Sequence, residues 1–175
     1  MIRVVSGSLK GRKLRAPQTE ATRPVSDRAK EAFFGMLGDI SGMTFLDAYS
    51  GSGSMAFEAI SRGASYAVGV DSGREASEVF NANVATLGIE GSTEMKVRPL
   101  IVWLSEDHRE FDIVFADPPF PDTDQAPLQL LAHRSRRVFA YKHSRRHTPV
   151  DIAEFTLRKS RRYGDSMISV YTRSE

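Results

Sequence analysis

The chain has 175 residues, a length that fits one domain with a substantial hydrophobic core and is short for two large ones. It has no cysteine, which excludes a disulfide framework and thiolate metal sites, and no apolar run approaches the length of a membrane span. The first residues lack the apolar stretch of a signal peptide, so we expect a cytoplasmic protein.

The net charge of +2 is distributed very unevenly along the chain. Residues 1–30 hold eight Lys or Arg and two acids, and residues 134–175 hold eleven Lys or Arg and four acids. The residues between them hold five Lys or Arg and sixteen acids. Basic termini of this kind favour a polyanion such as nucleic acid as the partner. The plainer alternative is two solvated basic faces that balance an acidic one.

The first part of the chain predicts a small hairpin and then a helix. Residues 2–6 and 9–15 are strand-like on either side of Gly7-Ser8, and residues 16–25 are a loop with two prolines. Ser26 is a predicted N-cap, and the apolar helical stripe that follows it ends at Gly38.

From residue 44 onward, predicted strands and helices alternate. The strands are expected at 44–47, 66–71, 94–98, 111–116 and 138–141, and the helices between 55 and 63, from 74 to 87 and around 128–132. Residues 154–160 and 166–172 are predicted to form a closing antiparallel pair. The alternation indicates an α/β fold with a mostly parallel sheet covered on both faces.

Asp47 and a glycine-rich loop follow the first strand of this alternation. The loop Ser50-Gly51-Ser52-Gly53 leads into a helix, where glycines let the backbone approach a ligand and the helix N-terminus offers N–H donors. Asp47 would repel a pyrophosphate and attract the amino group and sulfonium of S-adenosylmethionine, which argues against a dinucleotide. Asp71 ends the next strand and can accept from the ribose hydroxyls of either ligand. The plainer alternative for Asp47 is a partner for the helix dipole.

The tetrapeptide Asp117-Pro118-Pro119-Phe120 follows the buried strand 111–116. Two prolines stiffen the turn and leave carbonyl oxygens available as acceptors. Carboxylate and carbonyl oxygens suit the N–H groups of a planar amine, and Phe120 suits stacking on its ring. By itself the motif equally fits a loop that only ends the strand, with Asp117 in solvent.

A series of segments in chain order carries a family resemblance. They are Arg3-Val4-Val5-Ser6-Gly7, Lys10-Gly11-Arg12-Lys13-Leu14, residues 21–28, Glu31-Ala32-Phe33-Phe34, Leu46-Asp47, Gly51-Ser52-Gly53, residues 58–64, Asn83, Leu87-Gly88, residues 117–120 and residues 162–165. On these segments the chain resembles the class I methyltransferases. It most closely resembles the bacterial RsmD-like family, which methylates the 2-amino group of one guanine in 16S ribosomal RNA.

The resemblance implies one methyltransferase domain over residues 1–175, with an N-terminal hairpin and helix (1–38) before a catalytic core (44–175). It implies a Rossmann-like, mostly parallel sheet with an antiparallel last strand, S-adenosylmethionine as methyl donor, and 16S ribosomal RNA or a small-subunit assembly particle as substrate. The implied cofactor-binding residues are Asp47, Gly51, Gly53, Asp71, Thr22, Arg23 and Ser26. The implied catalytic residues are Asp117, Pro118 and Phe120.

Three features depart from the family pattern. Val97-Arg98-Pro99-Leu100 offers no acid or amide to the adenine amine, and Lys142 stands where the family often has an acid. The segment from Phe120 to Val138 is short.

Two groups of basic residues are predicted to contact RNA phosphates. They are Lys10, Arg12, Lys13, Arg15 and Arg28 in the first, and Arg145, Arg146, Arg161 and Arg162 in the second. We expect no metal, because His143 and His147 lie among like charges and lack the glutamate of a zinc-protease helix. We expect a monomer, because no exposed apolar helix face calls for a partner.

Two other functions stay open on the sequence. One is methylation of another planar amine, in adenine or in a protein glutamine, although those families more often have Asn at the position of Asp117. The other is a non-catalytic RNA-binding scaffold that has kept the fold. A nicotinamide oxidoreductase is a remote third, since neither Asp47 nor the pocket at Asp117 serves hydride transfer.

Overall fold

The computed structural model describes residues 1–18, 24–119 and 125–175. The strands are β1 (Ile2–Arg3), β2 (Lys13–Leu14), β3 (Thr44–Ala48), β4 (Tyr66–Asp71), β5 (Thr93–Val97), β6 (Phe111–Ala116), β7 (Ser135–Ser144), β8 (Phe155–Tyr163) and β9 (Ser166–Arg173). The α-helices are α1 (Asp27–Leu37), α2 (Ser54–Ser61), α3 (Arg74–Leu87), α4 (Leu100–Glu106) and α5 (Ala126–His133). None of these helices is long and apolar enough to cross a bilayer.

Seven strands form one sheet in the order β5-β4-β3-β6-β7-β9-β8. Neighbours from β5 to β7 are parallel, and β9 is antiparallel to both β7 and β8. The predicted Rossmann-like sheet with an antiparallel last strand is therefore confirmed. The strand order reverses between β3 and β6, and ligands of open α/β sheets bind at the carboxyl ends of the strands at such a point.

Helices cover both faces of the sheet, which explains why its central strands read as nearly continuous apolar runs. On one face the side chains of Phe33, Phe57 and Phe80 belong to one buried cluster with strand residues. On the other face Trp103 and Leu131 belong to a second cluster. The site residues at the strand ends are thus held by a core on either side.

The N-terminal hairpin is shorter than predicted, with two residues in each strand. The reason is that the amides between the strands are used elsewhere. Those of Val5 and Ser6 donate to the buried Glu58 carboxylate at 2.8 and 3.0 Å, and the amide of Ser8 donates to the carbonyl of Ser61 at 2.8 Å. The segment therefore docks on α2 instead of extending the ladder.

A buried lysine also joins α1 to α2. Lys30 has no exposed surface, and its ammonium donates to the carbonyl of Arg3 and to Ser54 Oγ, the latter at 3.1 Å. Burial lowers the pKa of Lys30, and the nearby Glu58 and Asp27 carboxylates oppose that shift. Through Ser54, the first residue of α2, the N-terminal extension reaches the glycine loop.

Two elements differ from the sequence expectation. The helix α4 was not predicted, because only three of its seven residues are buried and Ile101 and Val102 are exposed apolar side chains that blur its periodicity. The strand β7 is longer than 138–141, because Ser135 pairs with Phe111 and the carboxyl end continues to Ser144 beside β9. The polar residues at both ends of β7 do not fit an apolar strand pattern, so the sequence predicted a shorter strand.

Candidate active site at the carboxyl edge of the sheet

Three carboxylates meet at the carboxyl edge of the central strands. Asp47 lies near the end of β3, Asp71 ends β4, and Asp117 directly follows β6. Because these strands are parallel neighbours, their carboxyl ends lie together, and the amide of Asp117 donates to the carbonyl of Ala48 at 3.3 Å. The fold thus brings two of the predicted cofactor residues, Asp47 and Asp71, to the same edge as the predicted acceptor residue Asp117, at the point where the strand order reverses.

Asp47 is the buried member of the three, with 2% of its surface exposed. Its Oδ2 accepts from the amide of Ala56, the third residue of α2, at 3.1 Å. Within the described ranges this is the carboxylate's only hydrogen bond. Burial raises the pKa of Asp47 well above its usual range, the amide of Ala56 opposes that shift, and the Asp117 and Asp71 carboxylates add to it. The contact expected of a helix-dipole partner is present, and a cationic ligand beside Asp47 would favour its ionised form.

Asp71 joins two loops. Its Oδ2 accepts from the amide of Gly51 at 2.9 Å, and its Oδ1 accepts from the amide of Gly73 at 2.8 Å. One carboxylate therefore fixes the glycine loop against the start of α3. The side chain is partly exposed at the sheet edge, where a ligand hydroxyl can reach it.

The loop needs glycine at positions 51 and 53 for different structural reasons. Gly51 has φ +52°, and a methyl group added there would meet nothing within 4 Å, so the backbone faces open space. Gly53 has φ +85°, and a methyl group there would lie 2.5 Å from the ring of Phe57 and 2.6 Å from that of Phe80. Gly51 leaves room for a ligand, whereas Gly53 is required by packing. Tyr49, with φ +60°, is a left-handed residue that sequence reasoning missed.

Asp117 is held by a lysine from the next strand. The ammonium of Lys142 donates to Asp117 Oδ2 at 3.1 Å, with 19% and 24% of the two side chains exposed. Burial raises the pKa of Asp117, and the Lys142 ammonium opposes that shift. The sequence marked Lys142 only as a departure, since nothing in its spacing showed that it would contact Asp117.

The structure describes two of the remaining predicted site residues, Pro118 and Ser26. Pro118 is partly exposed beside Asp117. Ser26 is the N-cap of α1, because its Oγ accepts from the amide of Ala29 at 3.2 Å, and its role at the cofactor stays a prediction. Thr22, Arg23 and Phe120 lie outside the described residues.

Asn83 is a structural part of this site that sequence reasoning left without a role. It is 1% exposed on α3, and its side-chain amide donates to the carbonyls of Arg15 and Ser52 at 3.1 Å each. Its oxygen accepts from the amide of Arg15 at 2.8 Å. A buried amide can satisfy several backbone groups at once, so Asn83 holds the N-terminal segment against the glycine loop. The role of Asn83 could have been suspected from the sequence, because it is a polar residue on the apolar face of a predicted helix.

All nine basic residues predicted to contact RNA are exposed. Among the described contacts, the side chains of three of them have partners: Arg12 donates to the carbonyl of Thr86, Arg145 pairs with Asp165 at 3.3 Å, and Arg162 donates to the carbonyl of Gly164 at 2.8 Å. The turn between β8 and β9 thereby gathers Arg145 and Arg162. Arg161 and Arg162 lie on the edge strand β8, where charged side chains also prevent edge-to-edge pairing of sheets.

The comparison with protein families decides the membership of the chain. The family model described as "Conserved hypothetical protein 95" matches residues 2–172. The chain belongs to this family. Curated relatives of the chain carry rRNA methyltransferase names, which confirms the RsmD-like resemblance.

Two curated relatives show how far the similarity extends. "Putative rRNA methyltransferase YlbH" of Bacillus subtilis is 27% identical over 97% of this chain and 98% of its own length. "Ribosomal RNA small subunit methyltransferase D" of Escherichia coli is 35% identical over 120 residues, which are 68% of this chain and 60% of that protein. The chain therefore aligns with less than two thirds of the latter.

Solved structures agree with the sheet. "Putative methyltransferase yhhF from Escherichia coli" has a TM-score of 0.87 at 28% identity and covers 99% of this chain and 98% of its own. The magnesium protoporphyrin IX methyltransferase of Synechocystis, solved with bound S-adenosylmethionine, has a TM-score of 0.65 at 17% identity, over 82% of this chain and 76% of its own. At that identity the second comparison speaks for the fold alone.

Proposed function

We propose that this protein transfers a methyl group from S-adenosylmethionine to the 2-amino group of a specific guanine in 16S ribosomal RNA. The main support is the position of two carboxylates in a class I methyltransferase sheet. Asp47 near the end of β3 and Asp117 directly after β6 lie together where the strand order reverses. The curated relative from Escherichia coli is named for the ribosomal small subunit, which supports the choice of RNA. A cytoplasmic, monomeric protein and a division of the chain into residues 1–38 and 44–175 stay predictions.

The residues at β3 and β4 fit S-adenosylmethionine. This cofactor supplies a methyl group already activated by a sulfonium, so the protein's task is mainly to position the reactants. Asp47 and Asp71 would face the amino group and the ribose hydroxyls, a cationic amino group would favour the ionised form of Asp47, and Gly51 leaves its side of the loop open. Gly53 would act indirectly, by closing the turn against Phe57.

Asp117 and Pro118 would hold the acceptor amine. The lone pair of a guanine amine is delocalised into the ring, so hydrogen bonds from its two N–H groups to a carboxylate and a carbonyl favour a geometry in which the lone pair faces the methyl group. The new N–C bond forms as the methyl–sulfur bond breaks, and sulfur keeps the electron pair. The amine then loses one proton to Asp117, which passes it to solvent. Asp117 need not be a strong base, since the proton becomes acidic only as the bond forms.

The test is methyl transfer from labelled donor to small-subunit RNA taken from cells that lack this gene, presented both as naked RNA and as particles. We expect label in 2-methylguanosine after digestion. Label in adenosine or in a protein fraction instead would show that the acceptor is a different amine. Absence of donor binding in calorimetry would point to a scaffold.

The matched variants are Asp117→Ala and Asp112→Asn, at opposite ends of β6. Asp112 accepts from the amide of Thr44 at the amino end and has no proposed contact with substrate. Asp117→Ala should lower turnover by at least about 100-fold while donor binding stays within a few-fold. Asp112→Asn should keep wild-type turnover. Full activity of Asp117→Ala would remove Asp117 from the mechanism.

A further inference from the structure

The strand register places Lys142 beside Asp117. Ala116 pairs with Tyr141 between the parallel strands β6 and β7, so the next residue on each strand lies at the same carboxyl edge. The ammonium of Lys142 lies 3.1 Å from Asp117 Oδ2, and both side chains are mostly shielded from solvent. This contact joins the acceptor carboxylate to a residue 25 positions away in the chain.

The location of this positive charge is informative. The edge carries the carboxylates of Asp47, Asp71 and Asp117, and a cation among them weakens the attraction of a cationic donor. Lys142 contacts the carboxylate on the acceptor side, whereas Asp47 on the donor side is bound by the uncharged amide of Ala56. The acceptor side therefore holds an ion pair, whereas the described contacts of Asp47 include no cation.

We propose that Lys142 is a positioning residue for methyl transfer, which fixes one oxygen of Asp117 and keeps that carboxylate ionised so that it accepts hydrogen bonds from the acceptor amine. This role rests on the proposed function. A neutral carboxyl group carries a proton on one oxygen, so it donates where the amine needs an acceptor. Charge-assisted hydrogen bonds are also shorter and more directional, which suits the placement of one carboxylate in a fixed geometry.

The electrostatics around Asp117 give the direction of the effect. Within the described ranges, the charged groups facing it are Lys142 on β7 and Asp47 on β3, and Asp71 on β4 acts in turn on Asp47. Burial raises the pKa of Asp117 and Lys142 opposes that shift. Loss of the ammonium leaves burial unopposed, and burial disfavours the ionised form. The same ammonium makes Asp117 a weaker base, which helps it release the amine proton to solvent after transfer.

The test compares pH profiles of turnover for the wild type, Lys142→Met, Lys142→Arg and Lys96→Met. Met keeps the aliphatic stem of lysine without its charge, and Arg keeps the charge. Lys96 is a matched control, because it is also a strand lysine in an ion pair, with Glu94 at 2.6 Å. Glu94 also pairs with Arg109, which precedes β6 at the amino edge of the sheet. Donor affinity is measured by calorimetry for each protein.

We expect Lys142→Met to lose about tenfold or more in turnover at neutral pH, and to recover part of it at higher pH, because its acid limb moves upward. Lys142→Arg should restore most of the rate with the wild-type acid limb, and Lys96→Met should match the wild type. Donor affinity should stay within a few-fold in all four. A Lys142→Met protein with wild-type rate and acid limb would overturn the role, as would a lower rate with an unshifted limb.

A second measurement separates this role from the proposed function. Carbon NMR titration of the Asp117 carboxyl, assigned by its loss in Asp117→Asn, should show a higher pKa in Lys142→Met than in the wild type. An unchanged titration overturns the inference without touching the proposed function. A wild-type protein that binds the donor but methylates no guanine overturns the proposed function, and with it this role, even if the titration shifts.

Discussion

The sheet edge has a proposed donor side, β3 to β5, and a proposed acceptor side, β6 to β9. The two sides hold their carboxylates in different ways. On the donor side, Asp47 and Asp71 accept from backbone amides of Ala56, Gly51 and Gly73. On the acceptor side, Asp117 accepts from the side chain of Lys142. Substitution of a side chain does not remove a backbone amide, whereas the contact at Asp117 is lost when the side chain of Lys142 is replaced.

Because their contacts differ, we expect the two sides to respond to different substitutions. Backbone changes in the glycine loop should damage the donor side, and changes of charge should tune the acceptor side. The N-terminal extension belongs with the donor side, because Asn83 and Lys30 connect it to Ser52 and Ser54.

The largest expected effect is on the loop itself. Gly53→Ala places a methyl group against the packed rings of Phe57 and Phe80 in a left-handed conformation, so we expect a loss of about 2–4 kcal/mol in the free energy of unfolding. Gly51→Ala meets open space, so its cost should be about 1 kcal/mol, with donor binding reduced more than stability. Urea unfolding and calorimetry measure both. Equal stability losses would contradict the different reasons given for the two glycines.

The next effect separates the two carboxylates. Asp47→Asn can still accept from the amide of Ala56 but lacks charge, so donor affinity should fall by about 10- to 100-fold, or about 1.4–2.7 kcal/mol. Asp117→Asn is the control, and its donor affinity should stay within a few-fold. If both variants weaken donor binding alike, the division of the edge into two sides is wrong.

A smaller effect concerns the basic residues of β8. Replacing both Arg161 and Arg162 by Gln should weaken binding of small-subunit RNA and reduce the slope of log affinity against log salt by up to about 2, since each lost phosphate contact contributes a little under 1. Arg74→Gln is the control, because its side chain is 92% exposed and pairs with Glu78 on α3. An unchanged slope in the double variant would leave these arginines only the role of protecting a sheet edge.

The smallest expected effect is a pH dependence of stability. The pKa of Asp47 is raised in the folded protein, above all by burial, so the folded state binds more protons than the unfolded chain from about pH 4 upward. Its contribution to stability therefore falls as pH rises through the window between the unfolded and folded pKa values. The melting temperature of the wild type should therefore fall as pH rises through that window, and the melting temperature of Asp47→Asn should fall less.

The same group makes a prediction for the ligand. A cationic donor favours ionised Asp47, so in that pH window its binding should release protons, which calorimetry in buffers of different ionisation enthalpy detects. The Asp47→Asn variant should release fewer protons. Equal release by the two proteins would show that Asp47 does not titrate with binding.

Much of the donor side followed from local sequence. Asp47, the Gly51 turn and Asp71 are at strand ends or between a strand and a helix, and these positions depend on hydrophobic periodicity and on glycine, both local properties. The limits of β4, α3 and β6 were predicted as the structure has them, because their apolar patterns are strong and their ends are marked by acids or glycine. The hairpin was predicted too long because its amides make tertiary contacts, and α4 was not predicted because exposed apolar side chains blur its periodicity.

Residue type and spacing were enough to predict the α/β alternation, the acids at strand ends and the basic termini. Which of these residues contact one another depends on the tertiary structure. It placed Lys142 on Asp117, Asn83 between Arg15 and Ser52, and Glu58 under the hairpin amides. The physical reason is that each contact joins residues 25 to 68 positions apart, whose meeting is fixed by strand order and register, which no local pattern encodes.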